Sequence, residues 1–298
     1  MGPLPRVRPP YHVGMVRSWD VASDMSPVDV RPILPDERAE LVGLLAGLDV
    51  AAWARATLCP GWSVHDIALH LLGNDLGRLD RPPEPAARSG ALDFQVLARR
   101  IEHANDEWVR ATRRISPEIL VEFLAITGLR VDAAFARLGL HEEGVAVVWA
   151  GTGSSPYWLD IAREYAERWV HHQHIRLALG RTVLSGRHWL HPVLAAFMCA
   201  MPLAYESTSA RAGTRVAVVV DGAAGGRWLV RRGSERWHLL DDDGEPAAAE
   251  VRMDEEVAWR LLTRLMSVDE ARPSVVISGN RELGVAATRA VAVMTTRL

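Results

Sequence analysis

The chain has 298 residues, room for about two domains that each bury their own core. Apolar residues make up 49% and charged residues 24%, the balance of a soluble globular protein. Thirty-four Lys+Arg against 37 Asp+Glu give a formal net charge of −3, which excludes a nucleic-acid binder that works by bulk charge. Two cysteines, Cys59 and Cys199, are too few for a disulfide framework or a thiolate zinc site and read as small core residues. The longest nearly apolar stretch, 193–204, is shorter than the roughly 20 residues a bilayer requires. No apolar signal-peptide core follows the first residues, so the expected setting is cytoplasmic, with no membrane partner.

Residues 1–30, punctuated by proline, read as a disordered extension. From Asp36 the spacing of Leu41, Leu44, Leu45 and Leu48 predicts a helix. Pro60-Gly61 breaks the chain, and Ser63 with Asp66 three residues on is a capping-box signature for a helix running to Leu79. A proline-rich loop spans 81–90. Charged residues over 92–115 predict a helix, and Ser116-Pro117 opens another that ends near Leu138. After a loop over 151–155, Ser155-Pro156 starts a helix ending near Gly180, and a further helix covers 189–206. Beyond Gly213 the period changes to that of strands at 216–220, 227–231, 236–240, 250–253 and 274–278, with helices over 254–266 and at the end. The expected organisation is an extension (1–30), an all-helical metal-binding bundle (31–185), a connecting helix (186–212) and a small α+β domain (213–298).

The helix over 156–180 carries the most informative pattern. Asp160, Glu164, Glu167, His171 and His174 recur at spacings of four, three, four and three. At about 100° per residue they occupy an arc of roughly 80°. The helix over 63–79 repeats the design with Asp66, His70 and Asn74 beside Gly73 and Gly77. A polar stripe is ordinarily a solvated face. Here neither stripe, as bounded, contains an arginine, and both helices are apolar over most of their girth, which suits burial on several sides. Glu167 and His171 lie one turn apart, so both reach a single metal, and a facing helix adds His70. Three protein ligands leave a coordination position open, the mark of a catalytic and not a structural zinc site; iron, nickel and cobalt accept the same ligand set. Asp66, Asp160 and Glu164 are the candidates for residues orienting the ligands. Trp62 and Trp169, beside the ligand segments, are candidate walls.

These residues also carry a resemblance. Pro60-Gly61-Trp62-Ser63-Val64-His65-Asp66-Ile67-Ala68-Leu69-His70-Leu71 resembles the "PGWxVxDxxxHL" segment of the mycothiol-dependent maleylpyruvate isomerase family. Glu167-Arg168-Trp169-Val170-His171-His172-Gln173-His174-Ile175-Arg176 is similar to its "ExWxHxxDIR" segment. Residues 251–293 resemble the family's sterol-carrier-like domain. The resemblance implies a DinB-like four-helix bundle that holds a divalent metal, usually zinc, through His70, Glu167 and His171. It also implies a low-molecular-weight thiol, mycothiol or a similar one, as cosubstrate, and a small electrophilic substrate. This sequence departs from the pattern at His174, where the family has aspartate, which makes His174 either an additional ligand or a residue orienting His171. It also lacks the family's Gly-Arg ending; Arg281 and Arg289 are candidates for a substrate carboxylate.

The expected activity is therefore a metal- and thiol-dependent isomerase or S-transferase acting through a metal-bound thiolate, with Glu164 as a candidate base. The alternatives are a metal-binding sensor or interaction bundle without turnover, metal-assisted hydrolysis, and carriage of a hydrophobic ligand by the C-terminal unit. The oligomeric state is open, a homodimer being one arrangement.

Overall fold

Leucines at helical spacing build the first element. The computed structural model describes residues 25–80, 94–151 and 154–292. Helix α1 (Leu34–Ala46) buries Leu34, Leu41 and Leu45 and has proline in its first turn, where a missing N–H costs nothing. A one-turn helix, α2 (Val50–Trp53), is capped by the Asp49 carboxylate, which accepts from the Ala52 N–H at 2.8 Å. The chain then turns at Gly61, whose φ of 79° suits glycine. Helix α3 (Val64–Asp80) starts at the expected Ser63/Asp66 pair: the Ser63 N–H and hydroxyl both donate to Asp66 Oδ2 at 3.0 Å. Helices α4 (Phe94–Thr112), α5 (Pro117–Phe135) and α6 (Tyr157–Ala178) complete the helical unit. Helix α3 packs against α4, α5 and α6, and α1 lies across α5 and α6. Gly73 permits the α3–α4 approach: a Cβ there would lie 2.6 Å from the indole nitrogen of Trp108, which donates to the Leu69 carbonyl at 2.7 Å.

A small antiparallel ribbon, β1 (Glu143–Gly144) with β2 (Ser155–Pro156), leads into α6; nothing in the hydrophobic periodicity announces it. The single helix expected over 189–206 is divided into α7 (Leu190–Met198) and α8 (Met201–Ala204). Pro202 has no N–H to continue the ladder, and the break is bridged by tighter turns, Cys199 N–H to Ala196 O at 3.1 Å and Ala200 N–H to Phe197 O at 3.0 Å.

The second unit contains β3 (Arg215–Asp221), β4 (Gly226–Arg232), β5 (Trp237–Asp241) and β6 (Ala249–Asp254), followed by α9 (Glu255–Leu262), α10 (Val268–Ala271), β7 (Val276–Gly279) and α11 (Arg281–Ala287). The strands form one mixed sheet in the order β5-β4-β3-β6-β7, in which β3 and β6 are parallel and the other pairs antiparallel. The chain is thus a helical region followed by an α+β region, as its change of period implies. The helix expected over 254–266 stops at Leu262, and Arg264 adopts φ 60°.

The two units share a core. The rings of Trp169 and Trp259 meet edge to face at 5.3 Å, and the buried Tyr205 hydroxyl donates to Leu283 O at 2.8 Å. Residues 1–24 of the expected extension, the expected loop 81–90 and residues 152–153 lie outside the described residues. Met25 and Val30, expected within the extension, are instead buried in this core, and the Ser26 hydroxyl donates to Asp241 at 2.6 Å. Among the described residues no helix is long and apolar enough to cross a membrane.

Candidate active site

The polar stripes of α3 and α6 face each other and divide into two unlike halves. Toward the start of α6, Asp160 and Glu164 are closed by cations. Arg78 donates from Nε to Glu164 Oε1 at 2.9 Å and from both terminal nitrogens to Asp160, while Arg163 reaches Asp160 at 3.1 Å. Burial would raise the Glu164 carboxyl, but Arg78, Arg163 and Arg168 outweigh it and hold the group at about 2. Glu164, expected as a candidate base, is engaged by Arg78 and Arg163, and among the described residues neither it nor Asp160 is hydrogen-bonded to His70 or His171. Arg78 continues the α3 stripe one turn beyond Asn74, so a stripe bounded at Asn74 leaves out the cation that matters to α6.

Farther along α6 the stripe opens. Glu167 Oε1 lies 3.2 Å from His70 Nε2 and 3.2 Å from His171 Nε2, and one ligand atom from each residue falls within a 4.8 Å group. The His70 side chain is 3% exposed and that of Glu167 34%, so the cluster is buried behind and accessible in front. It lies on the wall of a cavity of about 1230 Å³. Burial favours the neutral form of Glu167, yet the imidazoles of His171 and then His70 keep it well below the usual carboxylate range. Burial lowers His70. Burial would also lower His171, but Glu167 and then Cys59 raise it to about 10. Glu167 and His171 each favour the other's charged form, a role that a divalent cation can also fill.

Trp62 stands against both histidines, its ring 5.1 Å from that of His70 and 6.4 Å from that of His171, and its indole N–H donates to Asp106 at 3.0 Å. Asn74 Nδ2 lies 3.3 Å from His70 Nε2. Trp169, the other expected wall, is buried in the core between the units and donates to Leu184 O at 3.0 Å. Its position one residue from Arg168 and two from His171 turns it to the opposite side of α6. Asp66 does not orient His70: it caps α3 and binds Arg113 at 2.8 Å.

His174 belongs with neither Glu167 nor His70. Its Nδ1 lies 3.4 Å from Nδ1 of His171, on the far side of that ring, and 3.2 Å from Cys59 Sγ. Cys59 is therefore a cavity residue and not a core one; Cys199 is buried as expected. Burial would raise the Cys59 thiol, but its hydrogen bonds with His171 and His174 bring it down to about 6.

Arg281 and Arg289 are exposed on or just after α11 and do not line the cavity. The cation that the second unit does contribute is Arg264, with Thr263, Leu265 and Ala292 beside it. Sequence periodicity misses Arg264 because it lies past an early helix end, in a left-handed conformation uncommon for a side chain of its size. The Ala292 N–H donates to Leu262 O at 2.9 Å and ties the returning C-terminal segment to the same corner.

Fold and site together define a helical bundle whose two imidazoles and one carboxylate converge on a cavity completed by an α+β unit. Residues 34–176, the helical unit of this chain, match the family model of the mycothiol maleylpyruvate isomerase N-terminal domain. A crystal structure of the mycothiol-dependent maleylpyruvate isomerase is 14% identical with a TM-score of 0.49, over 85% of this chain and 93% of that one. A crystal structure of a histidine-to-alanine mutant of that enzyme aligns over the same shares with 14% identity and a TM-score of 0.48. A solution structure of sterol carrier protein domain 2 of Helicoverpa armigera is 16% identical over 34% of this chain and 87% of that one, with a TM-score of 0.26. No curated protein matches this chain.

Proposed function

We propose that this protein is a thiol-dependent isomerase or S-transferase for a small electrophile, in which His70, Glu167 and His171 hold a divalent cation of the zinc class and mycothiol or a similar thiol is the cosubstrate. The observation that carries this reading is that His70 Nε2 and His171 Nε2 each lie 3.2 Å from Glu167 Oε1 on the wall of a large cavity. Bonds of about 2.0–2.1 Å to a tetrahedral cation place neighbouring ligand atoms roughly 3.3 Å apart, so the side chains need little movement to accept one. Three ligands facing a cavity leave room for a further one from solution. A cation bound there would favour the thiolate form of a low-molecular-weight thiol at neutral pH.

The protein's own residues supply the rest. Glu167 Oε1 lies 3.2 Å from both His70 Nε2 and His171 Nε2 and keeps the two atoms aimed at one point. Trp62, fixed by Asp106, shields the His70 side of the cluster from water. In an isomerisation the thiolate sulfur adds to an activated double bond, whose electron pair moves onto the conjugated carbonyl oxygen. Rotation about the resulting single bond and expulsion of the thiolate then return the double bond with changed geometry, with no net oxidation. Arg264 lines the same cavity without an ion pair among the described residues, which suits an anionic substrate. The free cysteines fit a reducing compartment, and we place the protein in the cytoplasm.

The test is metal content by mass spectrometry on tag-free protein, together with thiol-dependent turnover of maleylpyruvate. The expected result is a bound divalent metal that His70→Ala, Glu167→Ala and His171→Ala each lose from this cluster, together with turnover. Arg264→Met should raise KM for an acidic substrate more than it lowers kcat. Metal without turnover of any electrophile would favour the sensor reading, and protein that neither retains nor takes up metal would overturn the proposal.

A further inference from the structure

The cavity holds a second convergence of donors. Cys59 Sγ, His174 Nδ1 and a ring nitrogen of His171 lie within 4.8 Å of one another, and neither His70 nor Glu167 takes part. The two elements involved are unrelated in sequence: Cys59 comes from the turn before α3, and the histidines are one turn apart on α6.

Protons alone satisfy this group poorly. His174 Nδ1 has one in-plane position for a hydrogen bond, but it faces Cys59 at 3.2 Å and His171 at 3.4 Å. If Nδ1 is bare, Cys59 and His171 compete to donate to one lone pair, and the proton sits on Nε2. That atom is buried with no hydrogen-bond partner among the described residues, and His174 as a whole is 5% exposed. If Nδ1 is protonated instead, it donates fully to only one of its two neighbours. A cation at the centre removes the competition at Nδ1, because each of the three atoms then offers it a lone pair, while the His174 proton stays on Nε2. Tetrahedral bonds of about 2.05 Å to nitrogen and 2.3 Å to sulfur separate N–N pairs by roughly 3.3 Å and N–S pairs by roughly 3.6 Å, close to the spacings present. One thiolate and two imidazoles select a borderline-soft cation such as Zn²⁺ over Mg²⁺ or Ca²⁺.

We propose that Cys59, His174 and His171 form a second, thiophilic metal site, with the His171 ring bridging it to the His70–Glu167–His171 cluster through its two nitrogens. The bridge follows from the geometry: Nε2 faces Glu167 and Nδ1 faces His174. Occupying both positions displaces every ring N–H proton that His171 carries, leaving a bridging imidazolate, together with any proton on the Cys59 sulfur, and all of them pass to solvent. The proposal goes beyond the activity proposed above and shares only His171 with its cluster; Cys59 and His174 belong to the second site alone, so the two can fail separately.

The probe is Co²⁺, titrated into full-length, chelator-stripped protein and followed by absorption. Two equivalents are expected, one of them producing a near-ultraviolet sulfur-to-cobalt charge-transfer band. Cys59→Ser and His174→Phe should each bind one equivalent without that band, whereas Glu167→Ala should bind one equivalent and keep it. His171→Ala should lose both. A parent that shows no charge-transfer band at saturation overturns the second site. So does a Cys59→Ser variant whose stoichiometry and spectrum match the parent. A measurement on unmutated protein guards against misfolded variants. Alkylation of Cys59 by iodoacetamide should slow at least tenfold when a second equivalent of Zn²⁺ is added, and an unchanged rate counts against the site. A parent that saturates at one equivalent and shows the sulfur band would leave the Cys59–His174–His171 site standing while the function proposed above fell.

Discussion

Helix α6 carries two sets of charged residues, one residue apart in sequence and opposite in fate. On one side Arg168 and His172 turn into the bundle. Arg168 lies 3.4 Å from Asp75, which also binds Arg38 at 2.8 Å and accepts from the Thr127 hydroxyl at 2.6 Å, and His172 faces Glu37 at 3.0 Å. All of these are buried. On the other side Glu167, His171 and His174 present the same kinds of group to a cavity. The difference lies in the partners. Asp75 is enclosed by two guanidinium groups and a hydroxyl, so nothing from solution can add to it. Among the described residues Glu167 is paired only with imidazoles, which can give up a proton and accept a cation. Identical chemistry on adjacent residues thus becomes scaffold where arginine closes it and candidate machinery where histidine leaves it open.

Four experiments bear on that contrast. The largest effect belongs to the open side: Glu167→Ala should reduce thiol-dependent turnover to background and strip the metal from its cluster, while urea unfolding of the metal-free protein changes by no more than about 1 kcal/mol. The closed side should show the reverse. Asp75→Ala leaves two buried guanidinium groups without their shared anion and should cost about 3–5 kcal/mol in urea unfolding, with metal stoichiometry unchanged in whatever fraction stays folded.

The third concerns acid. Glu164 is lowered from 4.5 to about 2 by Arg78 and its neighbours, so its contribution is fully present above the unfolded-state value and is lost as pH falls from 4.5 toward 2. A shift of that size is on the order of 3 kcal/mol. Arg78→Met should weaken the protein at neutral pH and flatten the acid limb of its stability profile between those values; an acid limb identical to the parent's would show that Arg78 does not set it. The smallest effect is expected at Asn74, which touches the His70 ring from the edge of the cluster. Asn74→Leu should weaken metal affinity about 10-fold, read by competition with a chromophoric chelator, and leave folding untouched.

Much of this contrast is legible in the sequence. The three- and four-residue spacing along 160–174 places Glu167, His171 and His174 on one face, and Ser63 with Asp66 sets the start of α3 in register with His70. Those are local properties: a helical period and a cap need only neighbours in sequence to be realised. The change from helical to alternating apolar residues after Gly213 likewise announces the α+β region, because side-chain period is dictated by the backbone conformation that carries it.

Which residues share a helix face, and roughly where each helix begins, is thus written along the chain. Which of them meet is a matter of tertiary packing. Glu164 and Glu167 are one turn apart on a single stripe, yet Arg78 arrives from α3 to close the first, and among the described residues no arginine pairs with the second. Cys59, an ordinary residue in its turn, becomes a donor because α6 brings His174 within 3.2 Å of it. Arg264, and not Arg281 or Arg289, lines the cavity because α9 ends early and the chain reverses there. Each outcome depends on the approach of segments distant in sequence, set by the packing of the whole core, and the charge and partner of a buried side chain follow from that approach and not from its neighbours along the chain.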